Sequence, residues 1–138
     1  MVDKQKVYSK IHSLKTALVR LGELKQLSRK EFLANFTNFD SAKYNLIVAV
    51  EAMIDISNHI ISHQDLEIPA TSADSIKTLV KNGILPIEHQ NTFVAMVKFR
   101  YKAVHLHYEI KDEEVYQIFQ NNLGDFEKFI TAILQYVK

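Results

Sequence analysis

The chain has 138 residues, 47% hydrophobic and 24% charged, a balance that argues against disorder and for one domain, residues 1–138, with a sizeable core. Its 17 Lys and Arg stand against 16 Asp and Glu for a net charge of +1, so no global basic field points to nucleic acid and any such contact must come from a local cluster. The chain has no cysteine, which removes disulfides, thiolate metal sites and cysteine nucleophiles together and suits a reducing, cytoplasmic setting.

With only 3 Gly and 2 Pro there is little turn chemistry to serve a many-stranded sheet, and the expected fold is all-α. Val7, Ile11, Leu14, Leu18, Leu21 and Leu24 recur at steps of three and four, which predicts an amphipathic first helix over about residues 3–26. The charged start "MVDKQKVYSK" lacks the apolar region of a signal peptide, and no run approaches the ~20 apolar residues of a membrane span. "SRKE" reads as a capping box, with Ser28 and Glu31 opening a short helix through Phe32 and Phe36. From Asp40 to about His63 nothing breaks a helix and apolar residues cover most of its circumference, so this is the expected central buried helix.

Pro69 ends the next loop, Thr71 or Ser72 can cap a short helix, and Asn82-Gly83 gives that helix an exit. Pro86 suits the first turn of a helix carrying Phe93, Val94, Val97 and Val104 toward residue 108. Asp112 can cap a last helix with an apolar face from Val115 through Leu134, weakened at Gly124. The expected architecture is a bundle of four main helices and one or two short ones.

The chemistry concentrates in "FRYKAVHLHYEI", residues 99–110. On a straight helix Arg100 and His107 fall about 20° apart, whereas Arg100 and His105 are about 140° apart. One straight helix cannot aim Arg100 and His105 at one small ligand, so the helix bends, the two line different sides of a groove, or a second copy completes the site. A guanidinium holds phosphate oxygens in a planar fork and an imidazole can move a proton, a pair suited to metal-free phosphodiester cleavage. From spacing alone the more economical reading is a partly exposed polar helix face with Arg100 paired to an acid.

A second stripe, Glu51, Asp55, His59 and His63, runs at four-residue steps along one helix face. His59 and His63 have the spacing of zinc-binding pairs, but Ile60 follows His59 where an H-E-x-x-H motif needs Glu. The expectation is a polar seam without metal, against the alternative of a metal-dependent hydrolase; Glu51 or Asp55 could orient a catalytic histidine. Phosphate-binding glycine loops, nucleophile elbows and ribonucleoprotein motifs are missing, and no cofactor is expected.

"FRYKAVHLHYEI" resembles the signature of HEPN-domain ribonuclease toxins of the HepT type (the DUF86 family), R-x4-H-x-Y within a segment like F-R-N-x-x-V-H-x-Y-W-E-I. "AVEAMIDISNHIIS", "NGILP" and "EIKDEEVYQIF" extend the likeness over nearly the whole chain. Arg100 and His105 match the motif's catalytic pair. His107 stands at the motif tyrosine, Tyr108 at the usual Trp and Tyr101 at the usual Asn.

The resemblance implies a HEPN-like bundle that dimerises, or assembles further, so that two motifs face one cleft. It also implies cleavage of RNA, such as transfer or messenger RNA, by attack of the 2′-hydroxyl, with Arg100 holding the phosphate and His105 as general acid or base. The implied partner is a nucleotidyltransferase antitoxin that attaches AMP to the motif tyrosine. His107 has no phenol oxygen, so Tyr108 or Tyr101 would have to accept the AMP, leaving His107 a second proton carrier or a polar wall. The alternative of another class is a non-catalytic helical subunit that presents substrate to the nucleotidyltransferase.

Overall fold

In the computed structural model, which describes residues 2–138 and only the backbone at His107, the described residues form seven helices and no strand. Helix α1 spans Lys4–Lys25, capped by Asp3, whose carboxylate accepts from the Lys6 N–H. Its face of Val7, Ile11, Leu14, Ala17, Leu18 and Leu21 is buried, while Leu24 at its end is only half-buried. Helix α2, Arg29–Leu33, opens on the complete capping box, Ser28 to the Glu31 N–H and Glu31 back to the Ser28 N–H. The Ser28 backbone N–H, and after it the Ser28 hydroxyl, hold the Glu31 carboxyl below its ordinary range. Phe32 from this turn is buried against Tyr116 and Phe119.

Helix α3, Phe36–His63, starts four residues before the expected Asp40 because Asn35 caps it through the Thr37 N–H. Phe36 therefore belongs to α3, where it is exposed, and not to the short helix before it. By length and composition α3 is apolar enough to cross a membrane, contrary to the expectation that no run comes near that. In this fold its apolar surface is instead spent inside the bundle, where Leu46, Val50, Met53, Ile56 and Ile60 are sealed by α1, α4, α5 and α6.

Helix α4, Ser72–Lys81, is capped by Thr71 and leaves through Gly83 at φ +73°, a left-handed position that favours glycine. After Pro86 and a 3-10 turn at Ile87–His89, helix α5 covers Gln90–His105. It ends three residues short of the expected limit, since Leu106 leaves the helical region (φ −128°, ψ 42°) and His107–Glu109 form a separate 3-10 turn. The expected last helix is two, α6 (Asp112–Asn121) and α7 (Leu123–Val137), broken at Asn122, whose side chain bonds Asp125. Lys111, not Asp112, is the cap residue, and Asp112 sits in the first turn where its charge suits the helix dipole.

Candidate functional site

Phe93, Val94, Met96, Val97, Phe99 and Ala103 fasten α5 to the core, with Phe93 edge-on to Phe129 of α7 at 5.7 Å. Burying that face turns Lys98, Tyr101, Val104 and His105 outward and leaves Arg100 half-buried between. Arg100 and His105 line one open groove of about 750 Å³. Its far wall is Asn58 of α3 and the segment Pro69–Ser75, and Ile54 and Val97 form its apolar floor. Of the three explanations open for a 140° offset, the geometry favours opposite sides of a groove: Arg100 enters from mid-helix and His105 from the last residue of α5. The near-alignment of Arg100 with His107 does not hold, because the helix has ended before His107; the His107 side chain lies outside the described residues.

Arg100 is braced from behind. Its Nη2 donates to Glu51 Oε1 of α3 at 3.2 Å, and its buried Nε has no protein acceptor. The remaining guanidinium donors can still reach an anion in the groove. The partner that Glu51 meets is thus the arginine's guanidinium, not a histidine. Asp55, one turn further along α3, pairs instead with Lys10 of α1 at 3.0 Å and takes no part in the groove. The Tyr101 ring stacks on His105 with centroids 4.5 Å apart and planes tilted by 40°. Tyr108 is exposed on the 3-10 turn beyond α5. That turn is tied down by the Glu109 N–H on the Leu106 carbonyl, at 2.8 Å, and α5's last turn by Lys102 with Glu114 of α6, at 3.4 Å.

The groove lining holds Lys98, Arg100 and His105 and no carboxylate, with Glu51 meeting Arg100 from outside the lining. Lys98, Asn58 and Ser75 also belong to it, and no spacing rule picks them out of the sequence. Only the fold, crossing α3 and the start of α4 in front of α5, makes them neighbours.

His59 and His63 serve the scaffold. The Asp3 N–H donates to His59 Nε2 at 3.0 Å, which fixes that nitrogen as an unprotonated acceptor. His63 Nδ1 lies 2.9 Å from the His59 carbonyl and must therefore donate to it. Burial foremost, then the charge of His63, holds His59 below the ordinary histidine range. Among the described residues no three His, Asp or Glu side chains gather as metal ligands, so the alternative of a hydrolase built on His59 and His63 loses its geometry.

Fold and groove together define an all-helical protein with a groove lined by a lysine, an arginine and a histidine of one helix. The chain belongs to the Ribonuclease HepT-like family, whose sequence model matches residues 14–133. It is 35% identical over 127 residues to the mRNA nuclease HepT of Shewanella oneidensis, covering 92% of this chain and 95% of that protein. Among solved structures, a toxin–antitoxin complex with AMP-PNP superposes with a TM-score of 0.88 at 34% identity, covering 95% of this chain and 98% of the other. The tri-AMPylated Shewanella oneidensis HEPN toxin in complex with MNT antitoxin gives 0.87 at 34% identity, with 94% and 97% covered. The cytosolic protein YutE of Bacillus subtilis, at 14% identity and a TM-score of 0.85 over 99% of this chain and 91% of its own, shares the fold.

Proposed function

We propose that this chain is the endoribonuclease toxin of a toxin–antitoxin pair, a single helical domain acting in the cytoplasm on RNA without a metal. The observation that carries the reading is the pairing of Arg100 and His105 on one groove free of carboxylates, with Arg100 braced by Glu51. In the reaction the RNA 2′-oxygen bonds the adjacent phosphorus and the bond to the 5′-oxygen breaks, leaving a 2′,3′-cyclic phosphate and a 5′-hydroxyl. One proton leaves the 2′-oxygen and one arrives on the 5′-oxygen. Arg100 stabilises the charge that grows on the phosphoryl oxygens, and His105 carries a proton as general base or acid.

The regulating partner is a nucleotidyltransferase antitoxin, as in the tri-AMPylated complex of the Shewanella oneidensis toxin. Tyr108 is the better AMP acceptor than Tyr101, being the more exposed and standing next to His107. AMP at Tyr108 would add a bulky anion three residues from His105 in the chain, against the binding of an RNA phosphate.

The test is cleavage of end-labelled RNA in EDTA by the wild type, Arg100→Ala and His105→Ala, with the new 3′ ends identified. Cyclic phosphate ends are expected from the wild type, and a rate lower by about 100-fold or more in each variant, the usual size of a general acid–base contribution. Full activity in both variants would remove the site. No cleavage by any of the three would favour the non-catalytic subunit. In the same assay, preincubation with the nucleotidyltransferase and ATP silences the wild type and spares Tyr108→Phe.

A further inference from the structure

The groove is larger than a phosphate needs, and its size lies within the range of small-molecule pockets. Ile54 and Val97 give it an apolar part, and the exposed Tyr101 ring, next to His105, lines it as well. The Asn58 amide lines the same groove. Ser75, 1% exposed, reaches it from α4 with its Oγ–H donating to Asn58 Oδ1 at 2.6 Å. That length suits an O–H donor and is short for an N–H donor, so Ser75 takes up the amide oxygen and the NH2 is left to the exposed side of a residue that lines the groove.

We propose that this part of the groove is a nucleobase subsite for the nucleotide flanking the cleaved phosphate, with Tyr101 as its stacking platform and Asn58 as the residue that selects the base. The inference rests on the ribonuclease reading above and deepens it. An amide held with its NH2 toward the base donates well to a keto oxygen, O4 of uracil or O6 of guanine. It opposes the exocyclic NH2 of cytosine or adenine, donor against donor, and leaves both unpaired. Single-stranded RNA offers its bases for this combination of stacking and edge recognition. Lys98, exposed on the same wall, meets the next phosphate along the strand. Ser75 is a positioning residue: without its hydroxyl the amide can turn over and accept instead.

The test separates binding from chemistry. Fluorescence anisotropy is measured with 2′-O-methyl oligonucleotides, which cannot be cut, identical except for one base on either side of the central phosphate. The wild type is expected to bind the keto-base members about tenfold more tightly than the amino-base members. Asn58→Asp, an acceptor only, removes or reverses the preference, and Ser75→Ala erases it without changing charge. Tyr101→Ala weakens binding of all members by about tenfold or more, the usual loss of a stacking platform, while Tyr101→Phe retains it. Equal affinity for all four bases in the wild type, or an unchanged preference in both Asn58→Asp and Ser75→Ala, overturns the subsite. Cleavage of the matching unmodified RNAs is scored in parallel. Cutting without base preference removes the subsite and keeps the ribonuclease; base preference without cutting keeps the subsite and removes the ribonuclease.

Discussion

Arg100 occupies a position where a long cation would ordinarily be free to swing into solvent, and Glu51 prevents it. The pair is only partly buried, with side-chain exposures of 28% and 44%, so screening by solvent limits its contribution to stability to below about 1 kcal/mol. Its value lies in preorganisation, since a guanidinium already aimed into the groove loses less freedom when phosphate arrives. Glu51→Gln keeps a hydrogen-bond acceptor but loses the charge. It is expected to lower kcat for RNA cleavage by about tenfold with the melting temperature nearly unchanged, which initial rates and a thermal melt on one preparation would check. A wild-type kcat in Glu51→Gln would mean Arg100 needs no brace.

At the scale of elements, α1 is clipped onto α3 by a contact that depends on protonation. His59 accepts from the Asp3 N–H only while Nε2 is bare, and burial keeps its folded-state pKa below the unfolded value. The groups around it include Lys6 of α1, the cap residue Asp3 and His63 from its own helix; His63 and Lys6 oppose the imidazolium and Asp3 favours it. The unfolded chain therefore binds the extra proton first. The contribution of this contact is complete above about pH 6.5 and is lost as pH falls from there toward the folded pKa, with a slope no steeper than about 1.4 kcal/mol per pH unit. His59→Gln offers an acceptor that does not titrate, so denaturant midpoints between pH 7.5 and 5.5 should fall less for the variant than for the wild type. Equal slopes would assign the acid sensitivity elsewhere.

For the whole molecule, packing α3 at the centre commits the apolar faces of its neighbours inward, yet Tyr101, Val104 and Tyr108 remain exposed along the motif. We propose that a second copy of the chain covers part of that surface, and that Val104, exposed and outside the groove lining, is the residue to test. Sedimentation is expected to give twice the 16.0 kDa chain mass for the wild type and the single-chain mass for Val104→Asp. A wild-type monomer would mean the groove of one chain suffices.

The helical class, the buried face of α1, the central place of α3, the capping box at Ser28 and the exit at Gly83 were all legible in the amino-acid order. Each is local: a period of 3.6, a cap, or a left-handed turn acts within a few residues. Arg100 and His105 were legible too, as a motif. The end of α5 at His105, the break at Asn122 and the exposure of Val104 were not, because each depends on where a neighbouring helix leaves room. Most of the groove belongs with them. Glu51 meets Arg100 across 49 residues of chain, and Ser75 meets Asn58 across 17. Sequence alone determined which side chains could handle a phosphate. Tertiary structure decided which carboxylate meets the arginine and which amide lines the groove, because those contacts arise between helices that only packing brings together.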